Sequence, residues 1–310
     1  MTDVLGIDTS NYTTSAALLK NGTMRQSKKL LPVKQGEKGL RQSDAVFHHV
    51  KQLPEVLDSL PFAGASIAAV GVSNRPRSME NSYMPCFLVG VSAAKAAALS
   101  LGVPLHTFSH QQGHIAAALY SAGKLELLER RFLAFHVSGG TTEAVLCEPN
   151  RGEIFSTSIV AQSLDLKAGQ AVDRVGIMLD LPFPAGPELE KLALRTDKSF
   201  SVHPTMRGSD CSLSGIENRC QTMLAQGMPK EEIASFCLQS ILAALDGMAA
   251  SLLRKYAGLP LLFAGGVMSN SILRAALTRK YGAIFAEPAF STDNAAGVAV
   301  LTARKEGMDL

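Results

Sequence analysis

The chain has 310 residues, 46% hydrophobic and 18% charged, which suits two globular domains of ordinary size and excludes a disordered or collagenous class. A net charge of +3 and a pI near 8.6 permit contact with RNA without demanding it, and five cysteines lacking CxxC spacing (Cys86, Cys147, Cys211, Cys220, Cys237) exclude a zinc ribbon and point to reduced thiols. No basic leader opens the chain, and apolar stretches such as 241–253 are broken by Asp246 and Ser251 short of the roughly 20 residues that cross a bilayer, so a cytoplasmic protein without a membrane partner is expected.

In chain order, the first element is a β-hairpin in residues 5–19 (LGIDTSNYTTSAALL), where two apolar runs flank a tip of Ser, Asn and Thr. Periodicity predicts a helix over 44–60, a strand over 66–72, a helix over 88–100, a strand over 104–108 and a helix over 114–122. A charged stretch containing glycine (AGKLELLERR, 122–131) marks a domain boundary, set between residues 126 and 127. The second half opens on another hairpin, 133–147 (LAFHVSGGTTEAVLC), identical to the first at six positions that include Thr13/Thr141 and Thr14/Thr142. Matched identity at one offset reads as an internal duplication, with chance resemblance of two hairpins as the alternative. Tips of this kind offer hydroxyl and N–H donors without bulk, so two facing tips would hold a polyphosphate.

Beyond the second hairpin, helices are predicted at 168–179, 188–193 and 231–256, separated by a Pro/Gly break at 181–188. A strand at 260–264 runs into Gly265-Gly266, with a helix starting near Asn270 and a last one near Ser291. Residues 195–230 show no clear period and are expected to be partly irregular. Alternating strands and helices make this an α/β chain with helices layered on sheets.

Three constellations carry chemistry. In HQQGH, His110 and His114 lie four apart on one helix face, a spacing that serves one metal ion or two unrelated surface imidazoles. In STDN, Asp293 precedes an apolar small-residue run, where a carboxylate acts as a helix cap or as a ligand. In AGGVMSN, the glycines between a buried strand and a helix allow close approach of a ligand.

Together these segments resemble the TsaD family of tRNA threonylcarbamoyladenosine transferases, formerly described as O-sialoglycoprotein endopeptidases. The resemblance runs through LGIDTS, the His110/His114 pair, VSGG (137–140), Asp165 with AGQAVDR (168–174), PAGPELEKLA, SLSGIE (212–217), AGGVMSN and STDN. It implies a duplicated actin/hexokinase-like (ASKHA, RNase H-like) α/β fold with subdomains 1–126 and 127–310, a nucleotide cleft between them and a last helix that packs back on the first. It also implies a divalent metal, Fe or Zn, on His110, His114 and Asp293. His136, just before VSGG, stands where some members place a metal-bound tyrosine and is either a fourth ligand or a strand-end histidine. An adenine nucleotide (ATP, AMP or threonylcarbamoyl-adenylate) would be held by Ser138, Gly139 and Gly140 at the phosphates, Asp165 and Asp173 near the ribose, Gly186 along the sugar or base, and Asn270 at the base.

The implied reaction passes the threonylcarbamoyl group of threonylcarbamoyl-adenylate to N6 of adenosine 37 in tRNA, releasing AMP. The implied partners are tRNA, further subunits of a threonylcarbamoyl transfer complex and a second copy in a dimer. No general base is identified. The chain departs from the family pattern at Asn11-Tyr12-Thr13, where an acidic pair is usual, at 74–80 (NRPRSME), where a Gly-Pro-Gly-Leu loop is usual, at Gln170 for a glutamate, and in the TTE that follows VSGG. A divergent paralogue is therefore expected. Alternatives are a related carbamoyl transfer, a non-catalytic nucleotide-binding partner of a true transferase, and a small-molecule kinase with Asp8 as its aspartate. Peptidase chemistry lacks an HExxH motif.

Overall fold

A computed structural model describes residues 2–10, 12–32, 40–79, 81–291 and 295–310. The first half carries β1 (Asp3–Thr9), β2 (Thr13–Lys20), β3 (Thr23–Leu30), α1 (Gln42–Asp58), β4 (Ile67–Arg75), α2 (Phe87–Leu101), β5 (Leu105–Ser109) and α3 (His110–Ser121). The second carries β6 (Phe132–Val137), β7 (Thr142–Asn150), β8 (Ile154–Gln162), α4 (Ala168–Met178), α5 (Gly186–Ala193), β9 (Thr205–Arg207), β10 (Asp210–Ser212), α6 (Ser214–Ala225), α7 (Lys230–Lys255), β11 (Leu261–Ala264), α8 (Ser271–Tyr281), β12 (Ile284–Phe285) and α9 (Ala296–Lys305).

Backbone contacts divide the chain into one unit of Met1–Arg130, Glu148–Thr157 and Ala289–Leu310, and a second of Arg131–Cys147 and Ser158–Pro288. The first crossing falls slightly beyond the expected 126/127 cut, and the last segment returns to the first unit.

The duplication is visible in the topology. One sheet runs β3-β2-β1-β4-β5 and the other β8-β7-β6-β11-β12, the same order, with an antiparallel hairpin followed by two parallel neighbours. The tips also correspond, since Thr9 pairs with Thr14 and Val137 with Thr142 at the ends of the two hairpins.

β1 is buried along its whole length because side chains alternate between two covered faces. Leu5 and Ile7 join Leu18, Val70 and Val72 against Leu53 and Val56 of α1 and Ala94 and Ala98 of α2. Val4, with Ala17 and Leu19, meets Ala296, Ala299 and Ala303 of α9. The small residues of α9 allow near contact with α3, where a Cβ added at Gly297 would lie 1.7 Å from Gly113 O.

In the second unit, α7 is long and apolar enough to cross a bilayer by length and composition, yet Ile233, Leu238, Ile241, Leu245, Met248 and Leu252 are buried in that unit's core with Leu133, Phe135 and Phe263. That packing accounts for its apolar character. The five cysteines are all buried and free.

Six segments differ from the sequence expectation, two of them the strands β8 and β12, which it does not include. α3 starts at His110 rather than 114, because Ser109 and Gln112 form a capping box. β3 is mostly polar and exposed along its length, so it carries no core-facing alternation to read. Residues 195–230 contain β9, β10 and α6, and the last helix begins at Ala296 rather than near 291.

Candidate functional site

A cavity of about 460 Å³ lies wholly within the second unit. Its lining includes Gly139 from the β6–β7 tip, Gly169, Val172 and Asp173 from α4, Gly186 and Glu190 from α5, and Ser269 and Asn270 before α8. Four nucleotide residues expected from sequence, Gly139, Asp173, Gly186 and Asn270, thus share one cavity.

The tip owes its shape to local bonds. Ser138 N donates to Thr141 O (2.7 Å), Thr141 N to Ser138 Oγ (3.2 Å) and Gly169 N to Ser138 O (3.1 Å). A Cβ at Gly169 would stand 2.6 Å from Gly139 N, so the first turn of α4 packs directly on the tip. Ser138 and Gly140 adjoin Gly139 without lining the cavity themselves, and the Ser138 hydroxyl is engaged in holding the tip.

The second threonine of each duplicated pair, Thr14 and Thr142, anchors its tip. Thr142 Oγ1 accepts from Ala168 N (2.9 Å), tying the second tip to α4. Thr14 Oγ1 lies within hydrogen-bond distance of His49 Nδ1 (2.8 Å) and Gln52 Oε1 (2.9 Å), and His49 Nε2–H donates to Ser10 O (2.8 Å), tying the first tip to α1. Burial holds the His49 pKa below the ordinary imidazole range despite that carbonyl contact.

Asp173 Oδ1 accepts from Ala185 N (2.9 Å), which fixes the start of α5, while its other oxygen makes no hydrogen bond among the described residues. Asn270 Oδ1 caps α8 by accepting from Leu273 N (3.1 Å), leaving its amide nitrogen as a donor.

Asp165 is placed differently. It is not among the lining residues, and its carboxylate accepts from Leu166 N (2.6 Å), Leu213 N (2.7 Å), Ser214 N (3.3 Å) and Ser214 Oγ (2.6 Å). Burial raises its pKa, but the bonds from Ser214, Leu213 and Leu166 outweigh burial and hold the carboxyl below its usual range. Its carboxylate caps the start of α6 and does not line this cavity.

Glu190 was missed by the sequence reading. Its Oε1 accepts from Ser271 N (2.8 Å) and from the Ser271 hydroxyl. The available signal was its place four residues after Gly186 in PAGPELE, which puts both on one helix face.

In the first unit, His110 and His114 project from the first turns of α3 with their Nε2 atoms 2.9 Å apart. His110 Nδ1 lies 2.5 Å from Asp8 Oδ2 at the end of β1. The preceding segment braces this helix start, since Gln111 N donates to Pro76 O (3.0 Å) and Ser78 Oγ to Ser109 Oγ (3.1 Å). Arg75 of the basic segment is paired with Glu153 (3.2 Å).

Metal bonds of about 2.0–2.1 Å at tetrahedral or octahedral angles place neighbouring imidazole nitrogens on the order of 3 Å apart, so the pair fits two positions around one ion. Asp8 Oδ1 adds a second sign, being buried with no hydrogen-bond partner among the described residues. Among those residues no group of three or more His, Cys, Asp or Glu side chains gathers at one point. Asp293 lies outside the described residues, and His136 sits on β6 of the second unit, where it pairs in register with Glu143 and Ala264.

Residues 33–300 match the family model described as TsaD, tRNA N6-adenosine threonylcarbamoyltransferase. The chain belongs to the TsaD family. A tRNA N6-adenosine threonylcarbamoyltransferase of Halalkalibacterium halodurans is 31% identical over 99% of this chain and 94% of its own, and that of Bacillus subtilis is 31% identical over 96% and 88%. TsaD membership makes the protein an acyltransferase by family.

Solved structures agree on architecture. Component A of the Acidaminococcus fermentans (R)-2-hydroxyglutaryl-CoA dehydratase superposes with a TM-score of 0.57 at 16% identity, covering 99% of this chain and all (100%) of that one. Full-length HypF in its phosphate- and nucleotide-bound form gives 0.58 at 15% identity, covering 97% of this chain and 54% of HypF. The fold is the duplicated actin/hexokinase-like one.

Proposed function

We propose that this protein transfers a threonylcarbamoyl group from threonylcarbamoyl-adenylate to N6 of adenosine 37 in cytoplasmic tRNA, with a divalent metal bound by His110 and His114 and, outside the described residues, by Asp293. The observation that carries the reading is the single cavity that gathers Gly139, Asp173, Gly186 and Asn270. It has room for a nucleoside monophosphate, and its polar groups suit one.

In this reading the Gly139 and Gly140 amides bind the phosphate, which needs N–H donors and little bulk. The free oxygen of Asp173 accepts from a ribose hydroxyl, and the Asn270 amide donates toward the base. Glu190, held through one oxygen by Ser271, offers the other to the same ligand. Ser138 contributes through the shape of the tip. His136, at the strand end preceding that tip, is the fourth candidate ligand.

The exocyclic amine of adenine is a weak nucleophile, so catalysis rests on positioning the carbamoyl carbon and stabilising charge on its oxygen. A bound divalent ion would supply Lewis-acid polarisation of phosphate or carbamoyl oxygen. The kinase alternative is weakened because Asp8, its only candidate aspartate, is buried and bonded to His110. Further subunits of a transfer complex and a dimer remain part of the proposal through family resemblance alone.

The test is direct. Purified protein, loaded with Fe(II) or Zn(II), is given threonylcarbamoyl-adenylate and a tRNA transcript bearing A37, and modified nucleoside is quantified beside His110→Ala. Transfer by the wild type that is lost in the variant is expected. Nucleotide binding with no transfer to any tRNA would overturn the reading in favour of a non-catalytic partner.

A further inference from the structure

We infer that Asp8 is the positioning residue that sets the tautomer of His110, fixing the proton on Nδ1 so that Nε2 presents a lone pair to the metal. The inference deepens the metal reading above and rests on it.

The geometry is a carboxylate, an imidazole and a second imidazole in line. Asp8 is the penultimate residue of β1, where it is 1% exposed, and its Oδ2 stands 2.5 Å from His110 Nδ1. An ionised carboxylate only accepts hydrogen bonds, so the Nδ1 facing it is the protonated nitrogen. A neutral His110 then has an unprotonated Nε2, the atom that lies 2.9 Å from His114 Nε2. A metal ion takes lone pairs from both nitrogens, and the contact with Asp8 sets the His110 ring for that.

Position as well as protonation is fixed. Asp8 is in register with Ser15 on β2, and β1 is covered on both faces, so the carboxylate does not follow the ring if α3 shifts. Carboxylates that accept the outer N–H of a ligand histidine typically contribute 10–100-fold to metal affinity. An asparagine at the same place can turn its amide NH₂ toward Nδ1 and so favour the wrong tautomer, which places a proton where the metal bonds.

The experiment uses ¹⁵N-histidine-labelled, metal-free full-length protein at about pH 8, with long-range ¹H–¹⁵N correlation spectra, His110 being assigned from the peaks missing in His110→Ala. The expected wild-type pattern is a protonated Nδ1 and an unprotonated Nε2. In Asp8→Asn the Nε2–H form gains population and the Co(II) dissociation constant, measured by competition titration, rises 10–100-fold, while AMP affinity changes less than twofold. Asp8→Glu, which keeps the acceptor, recovers part of the Co(II) affinity.

A wild-type His110 protonated on Nε2 overturns the inference, as does an Asp8→Asn protein that binds AMP normally and Co(II) as tightly as the wild type. If Asp8→Asn does not fold, the wild-type spectrum alone decides. If the wild type binds no Co(II), the metal reading fails separately, and the tautomer still reports whether Asp8 sets the ring.

Discussion

Replacing Gly265 by alanine separates two adjacent glycines that the sequence presents as equals. Gly265 has φ 103° and ψ 158°, a region occupied almost only by glycine. Its missing Cβ would lie 2.3 Å from Val137 O and 2.7 Å from Val137 C, both backbone atoms of the strand leading to the β6–β7 tip. Backbone strain of about 1–3 kcal/mol adds to overpacking of about 1–3 kcal/mol. Restricting the unfolded chain offsets about 0.4–1 kcal/mol. The net loss is on the order of 1–6 kcal/mol, against the roughly 5–15 kcal/mol typical of a folded domain. Gly266 is not at positive φ, and a Cβ there meets nothing within 4 Å, so Gly266→Ala should change stability by less than about 0.5 kcal/mol. As a lining residue it should instead weaken AMP binding. Urea unfolding followed by circular dichroism, with calorimetric AMP titration of both variants, tests the pair. Equal unfolding midpoints for the two would refute the close-approach argument.

Gly169→Ala, whose Cβ would press on Gly139 N, should lose AMP affinity and about 1–2 kcal/mol by calorimetry and urea melts, despite alanine's better helix propensity. Asp173→Ala should weaken AMP binding about tenfold or more, whereas Asp165→Ala should lower stability through the lost cap of α6 with little change in AMP affinity; titration of both variants distinguishes a ligand contact from a structural one. His49 has a folded pKa below its unfolded value near 6.5, so the unfolded chain binds the extra proton first. Stability should therefore fall as pH drops from about 6.5 toward the folded pKa, and His49→Phe should flatten that part of a melting-temperature profile while costing about 1–3 kcal/mol near neutrality.

The two hairpins announced the duplication because a sheet buried on both faces needs near-continuous apolar runs, and the polar tips between them interrupt those runs at matching places. The strand order common to both sheets is the three-dimensional form of that repeat. Gly139, Asp173, Gly186 and Asn270 were legible through the motifs that contain them, and the His110/His114 pair through its spacing. β3 was not legible, since a mostly exposed edge strand needs no apolar alternation.

Sequence by itself determined the apolar strands and the periodic helices, the repeat and the residue types able to bind a nucleotide and a metal, because period, capping and turn chemistry are local. Tertiary structure alone decided which groups are engaged elsewhere: Asp165 in capping α6, Thr14 and Thr142 in anchoring their tips, Glu190 in entering the cavity, and Asp8 in meeting His110. Those partners lie far apart in the chain, and a hydrogen bond or a cavity wall is settled by which distant segments the packed core brings within about 3 Å.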